Sequence, residues 1–291
     1  MSIDIGRIGI WSGQLRRGDT SRTPDAVAEL ESLGYGAVWM PGGAGSGFFP
    51  LAEACLRATS RIVVAAGILS VWTNTAEDVA RARATLAADH PGRFLLGLGV
   101  SHPSAVERLG RRFEHPVPVM RDYLDALDAT SSPVSRDELV LAALGPRMLA
   151  LSRDRSWGAH PYFVPPEHTR LARFVLGPRA LVAPEQAVVL ETDPERARRI
   201  ARQHVGSYLG SPNYTNNLLR LGFAAADFAN GGTDRLVDAI VAWGDLEAVG
   251  RRIDEHMTAG ADHVCVQVLT EDPSRLPLDE WRTVARLIGH G

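Results

Sequence analysis

Two neighbouring segments constrain this chain most. Gly67-Ile-Leu-Ser-Val-Trp-Thr-Asn-Thr75 and Arg93-Phe-Leu-Leu-Gly-Leu-Gly-Val-Ser-His-Pro103 each begin as an apolar β run and end in small, polar or ring-bearing residues. Between them, Ala76 to Asp89 has the pattern of one helix. The order is strand, polar tip, helix, strand, polar tip. In a parallel barrel such tips gather at one mouth, where cofactors and substrates sit.

The same alternation runs from end to end. Further strands are predicted at Arg7 to Trp11, Ala37 to Met40, Arg61 to Leu69, Phe94 to Val100, Glu138 to Leu144, Trp157 to Val164, Ala180 to Leu190 and Ala261 to Leu269. Pro161 weakens the sixth of these. The first helix is expected over Pro24 to Leu33, with Thr23 as its N-cap. Eight β runs with helical connections predict an α/β fold, a single (β/α)8 TIM barrel rather than an open sheet. The 291 residues fit one domain spanning positions 1–291. About seventy residues, Glu191 to Gly260, separate the seventh and eighth runs. Their pattern is helical over Pro194 to Leu209, Asn213 to Leu221, Thr233 to Ala242 and Asp245 to Ala259. One helix is expected there, so a helical insertion is predicted, roughly 205–245. It serves as a lid or substrate wall, or as peripheral packing or a subunit interface.

Formal net charge is −3, so nothing points to nucleic acid or to a membrane surface. No apolar run reaches about 18 residues and no signal peptide is expected. The two cysteines, Cys55 and Cys265, are far apart, which predicts a reducing, cytoplasmic setting without disulfides. All thirty-one basic residues are arginine. That excludes a Schiff-base lysine and a Walker-type phosphate loop. His102, His160 and His168 show no metal-ligand spacing with carboxylates.

Several tips carry chemistry. In Gly97-Leu-Gly-Val-Ser-His-Pro103, the glycines Gly97 and Gly99 admit close approach of a flat ring to the backbone. Ser101 and His102 add polar groups. His102 is the catalytic candidate, as hydrogen-bond donor or acid/base, although a histidine before proline also serves as a plain turn residue. Ala142-Ala-Leu-Gly-Pro-Arg-Met148 reads as a strand ending at Gly145, with Pro146 opening a helix whose free N–H groups suit a phosphate. Arg147 adds a cation. His160 and Tyr162, in Gly158-Ala-His-Pro-Tyr162, could bond the same phosphate, close the pocket, or simply form a turn. Trp11, Ser12, Trp39 and Trp72 are expected near strand ends, with Trp39 read as core filler. Cys265 reads as buried and inert.

In order and spacing, these stretches and Gly34-Tyr-Gly-Ala-Val-Trp39, Ala65 to Ser70 and Tyr123 to Leu127 resemble the bacterial luciferase-like family, most nearly its coenzyme F420-dependent branch. The resemblance implies a redox enzyme that uses F420, or FMN as the alternative in a monooxygenase. It implies a non-prolyl cis peptide under the ring, with Ser70–Val71 as the candidate. It places Ser70, Val71, Gly99, Ser101 and His102 around the ring, and Ala143, Leu144, Gly145, Pro146, Arg147 and Met148 near the phosphate. It also implies a small-molecule substrate and a homodimer. Alcohol-oxidising relatives carry an Asp-His pair after the second strand, where this chain has Gly42 and Gly43 in a glycine-rich loop expected to be flexible. That departure leaves open a degenerate, non-catalytic barrel acting as a binder or partner subunit.

Overall fold

The computed structural model describes residues 3–17, 19–42 and 47–290. Along the chain lie β1 (Ile8–Trp11), α1 (Thr23–Ser32), β2 (Ala37–Met40), α2 (Phe48–Arg57), β3 (Val63–Ala66), β4 (Leu69–Ser70), α3 (Ala76–Asp89) and β5 (Phe94–Gly99). Then come α4 (Pro103–Glu107), α5 (Pro116–Asp128), β6 (Leu139–Leu141), α6 (Pro146–Arg155), β7 (Gly158–Ala159), α7 (Pro166–Leu176), β8 (Leu181–Val182) and β9 (Glu185–Val189). The last are α8 (Pro194–Tyr208), α9 (Pro212–Arg220), α10 (Asp234–Ile240), β10 (Val241–Trp243), α11 (Leu246–Thr258), β11 (Val264–Val268) and α12 (Leu278–Val284).

Among the described residues every strand pairing is parallel, in the order β10-β9-β11-β1-β2-β3-β5-β6-β7-β8, with β4 on β5. The fold is α/β with a curled parallel sheet. Only Ala183 and Pro184 part β8 from β9. On one flank of this run Leu181 N donates to Trp157 O and Glu185 N to Pro161 O, both at 2.9 Å. On the other flank Asp262 N donates to Val182 O and Cys265 N to Pro184 O, also at 2.9 Å.

Alternation along each strand sorts the side chains into two layers. Trp11, Trp39, Ala65, Leu95, Val140, Ala183 and Cys265 pack together inside the curl. Ile10, Val38, Val64, Leu96 and Val266 face the surrounding helices. A third cluster joins β9 and β10 to α8, α9 and α10 through Ala187, Val205, Leu218 and Val237. Each buried aliphatic chain contributes about 1.5–3 kcal/mol.

Four expectations need correction. The seventh run is interrupted at Ala183-Pro184, because proline has no N–H to give the ladder. The sixth is cut to Gly158–Ala159 ahead of Pro161. Val241–Trp243, assigned in part to a helix, is a strand, because pairing with β9 decides the matter over local pattern. Thr23 does not cap α1; its hydroxyl donates to Leu15 O at 2.9 Å.

The non-prolyl cis peptide is also displaced from its expected place. It lies at Gly67–Ile68, not at Ser70–Val71. Ser70 is held in register opposite Gly99, and Val71 N donates to Gly99 O at 3.1 Å, so the strand is still regular there. The interruption falls upstream, where Gly97 leaves space for the Ala66 carbonyl and Gly99 for the Ile68 side chain. These glycines therefore accommodate the protein's own chain.

Candidate active site at the carboxyl-side mouth

The tips of β4, β5 and β6 form one rim. Ser70 pairs with Gly99, and a side chain at Gly99 would meet Ile68 and Ala142. Ala142 N donates to Leu98 O at 2.8 Å. Trp72 closes the rim outside, its Nε1 donating to Val100 O at 2.8 Å. Ser101 takes the left-handed conformation (φ 61°), which turns the chain so that His102 precedes α4. The Asn213 amide donates to His102 Nδ1 at 3.3 Å, and the Tyr214 ring lies 5.3 Å from the imidazole. An accepting Nδ1 leaves the proton of the neutral ring on Nε2. Burial pulls the His102 pKa below the usual histidine value against the opposing effect of Asn213, so the ring is neutral at pH 7.

Ala143 is buried and Leu144 half-buried on the approach to α6. Gly145, the residue before α6, offers no side-chain cap; Met148 N and Leu149 N donate to its carbonyl at 3.0 Å and Pro146 has no N–H, which leaves the Arg147 amide for another acceptor. Met148 and Leu149 anchor the helix below. Arg147 is exposed and lines an outer cleft of about 410 Å³ with Arg121 and Arg155. The cation beside Gly145 is instead Arg220, whose guanidinium lies 3.6 Å from where a side chain at Gly145 would begin. Among the described residues, neither Arg147 nor Arg220 has a carboxylate partner. His168 Nε2 donates to Leu144 O at 2.9 Å, and burial pushes this histidine down to about 4.

His160 lies apart from the Gly145 corner. It is buried inside the curl, stacked on Trp39 at 4.3 Å, with Nδ1 donating to Ala183 O at 2.7 Å. Burial lowers it to about 4, so it is a neutral ring with an acceptor Nε2 that has no partner. Trp11 Nε1 donates to Gly67 O at 3.1 Å and fixes the floor of the mouth. Tyr162 closes that floor: its hydroxyl donates to Gln267 Oε1 at 2.8 Å and lies 2.9 Å from Tyr208 Oη. Glu185 sits below, its Oε2 accepting from Phe163 N at 3.1 Å. Burial pushes this carboxyl up to about 8 against that bond.

The structure thus brings together Ser70, Val71, Gly99, Ser101 and His102, and sets Gly145 to Met148 on the adjoining tip. Gly42 N donates to Ile68 O at 3.1 Å, and a side chain there would run into Leu69. Gly43 and the centre of the glycine-rich loop lie outside the described residues.

Buried polar atoms without partners concentrate at this mouth: His160 Nε2, His204 Nε2, Glu185 Oε1, Asn213 Oδ1 and both side-chain polar atoms of Asn217. Such atoms are nearly always partnered in folded proteins. Sequence reasoning missed Asn213, Asn217, Arg220, Tyr208, Glu185 and Gln267. Glu185 did carry a signal, a carboxylate inside an apolar run. Asn213 and Asn217, four apart on a helix, carried a weaker one.

A parallel α/β sheet with polar groups drawn to one rim defines an enzyme-like class. Residues 7–263 match the luciferase-like monooxygenase family, and the chain belongs to that enzyme family. A Mycobacterium tuberculosis protein whose name assigns it to coenzyme F420-dependent oxidoreductases is 29% identical over 133 residues, covering 44% of this chain and 37% of that protein. Solved structures share the fold at low identity. The coenzyme F420-dependent tetrahydromethanopterin reductase of Methanopyrus kandleri matches with TM-score 0.76 and 16% identity over 100% of this chain and 99% of its own. An F420-dependent secondary alcohol dehydrogenase matches with TM-score 0.72 and 16% identity, over 97% and 99% of the two chains. The oxygenating constituent of 3,6-diketocamphane monooxygenase from Pseudomonas putida, in complex with FMN, matches with TM-score 0.70 and 14% identity over 97% of each. No helix among the described residues is long and apolar enough to cross a membrane.

Proposed function

We propose that this chain is a redox enzyme that holds an F420-type deazaflavin at the carboxyl-side mouth and serves hydride transfer to or from a small organic substrate. The observation that carries this reading is the convergence of Ser70, Gly99, His102 and the start of α6 on one rim, with Arg220 unpaired beside Gly145. The donor set fits such a group. Ser70, Val71 and Gly99 offer backbone to a flat ring, and the α6 start with Arg220 suits an anionic tail. When bound, the deazaflavin supplies the hydride chemistry. The chain's residues orient and enclose it. Tyr162, Trp11 and Tyr214 exclude water from below and from the side. His102, neutral and held by Asn213, presents an Nε2 proton. Gly42 leaves the second-strand tip without an acid or base, so alcohol oxidation through an Asp-His pair is not part of this reading.

On this reading the curled sheet is a (β/α)8 barrel in which β8 and β9 make one strand, the chain is a single domain, and roughly 205–245 is the insertion. A cytoplasmic homodimer is proposed with it, checked by light scattering and fractionation. FMN is the second reading, favoured by the FMN-bound neighbour. Paired titrations with F420 and FMN test the choice through ligand fluorescence. F420 binding in the micromolar range is expected. Binding of FMN alone overturns the deazaflavin, and binding of neither leaves a degenerate barrel acting as a binder or partner subunit.

A further inference from the structure

Helix α9 spans the distance between the two corners of the rim. Asn213, Asn217 and Arg220 are spaced by four and three residues, so they share a face within roughly 60° of arc. Tyr214 and Leu218 form the adjoining apolar face and pack into the cluster under α8 and β9. At one end of the polar stripe Asn213 meets His102 at 3.3 Å. At the other, Arg220 stands 3.6 Å from the side-chain position of Gly145. Asn217 lies between them, 1% exposed, with neither its amide nitrogen nor its oxygen partnered. Asn213 Oδ1 is likewise unpartnered. A leucine, as at Leu218, would serve the helix better than an amide with all its hydrogen bonds unmet. The stripe runs from the His102 corner to the Gly145 corner of the rim.

We propose that Asn213, Asn217 and Arg220 form a polar rail for the tail of the bound cofactor: the two amides hold the hydroxyls of its polyol chain, and Arg220 holds its phosphate. From Asn213 to Arg220 the helix rises about 10 Å, a span suited to an extended five-carbon polyol with a terminal phosphate. Each asparagine amide both donates and accepts, which matches hydroxyl groups better than a carboxylate or an apolar chain does. The inference rests on the function proposed above, and it gives the region after β9 a specific task, cofactor retention.

The test uses the full chain with two ligand series: lumiflavin, riboflavin and FMN, and the phosphate-free ribityl deazaflavin against F420. Wild type, Asn217→Leu and Arg220→Gln are titrated by ligand fluorescence, and each is melted without ligand. Arg220→Gln is expected to weaken phosphate-bearing members about tenfold and leave phosphate-free members unchanged. Asn217→Leu is expected to weaken polyol-bearing members about tenfold, spare lumiflavin, and melt no lower than wild type. Arg220 is exposed, so its variant decides the matter even where Asn217→Leu fails to fold. If wild type binds and both variants bind as tightly, the rail alone is overturned. If wild type binds no member of either series, the proposed function falls and the rail falls with it.

Discussion

At the amino-side end of the sheet, Arg93 donates to the carbonyls of Leu56, Thr59 and Ile62 and to the Thr59 hydroxyl. Beside it, Glu31 accepts from the backbone N–H groups of Ser60, Arg61 and Ile62. Arg173 ties Gly177, Ala180 and Gly260 in the same way. The carboxyl-side mouth treats polarity differently. Asn217, Asn213, His160 and Glu185 bury polar atoms there that meet nothing. Single orphans occur elsewhere, as at His90 and Trp281, but at the mouth they gather. One end spends its polar groups on holding strand starts together. The other buries polar atoms that no described residue meets, which agrees with the ligand site proposed there.

The sharpest break of this contrast is Arg93→Ala. Several carbonyls lose a charged donor, so a loss of about 3 kcal/mol is expected from urea unfolding. A loss below about 1 kcal/mol would mean that the amino-side end is not the anchored one. Glu185→Gln is expected to act in the opposite direction. The folded carboxyl titrates near 8, above its ordinary 4.5, so the native state holds a proton that the unfolded chain releases. Stability therefore falls as pH rises between those values. Glutamine removes that dependence and should add about 2 kcal/mol at pH 7. An unchanged pH slope would remove Glu185 from the argument. Glu31→Gln should cost about 1 kcal/mol at pH 7, discounted because the group is half-exposed. Burial works to raise Glu31, but the backbone N–H bonds prevail and hold it at about 2. Its contribution is full above about 4.5 and lost as pH falls through 2, so wild type and variant should converge there.

Much of this was legible in the sequence, because a parallel strand buried on both faces is written as a short apolar run between turn residues. Val63–Ala66, Phe94–Gly99 and Val264–Val268 fall inside the predicted runs. The rim residues Ser70, Gly99, Ser101, His102 and Gly145 could be placed because each lies within two positions of the end of such a run. What stayed hidden depends on pairing over long separations. β10 exists through its register with β9, and Arg220 matters only because α9 ends beside Gly145, seventy-five positions earlier. Arg147 was the visible cation, since it adjoins Gly145 in sequence, yet its position on α6 turns it to the outer cleft. Gly97 and Gly99 announce a close approach in the sequence but not that the Ala66 carbonyl and the Ile68 side chain make it.

The smallest expected effect concerns His102. Its pKa lies below the histidine norm through burial, so the folded state carries fewer protons than the unfolded chain just below about 6.5, and stability declines only as pH drops past that point. Glutamine can keep a carbonyl acceptor for the Asn213 amide. His102→Gln should therefore shift stability by less than about 0.5 kcal/mol at pH 7.5, where the histidine is already neutral. Ligand affinity should follow the same course in both proteins from about pH 7 to 8.5, since a ring that is neutral throughout has no charge to lose. The measurement is the F420 or FMN titration repeated across that range. A sigmoid with a midpoint above about 7 in wild type, absent from the variant, would show that ligand contact restores a charge to His102. The mouth would then hold a titrating acid beside its unmet amides, and the contrast with the amino-side end would be one of proton chemistry as well as of hydrogen bonding.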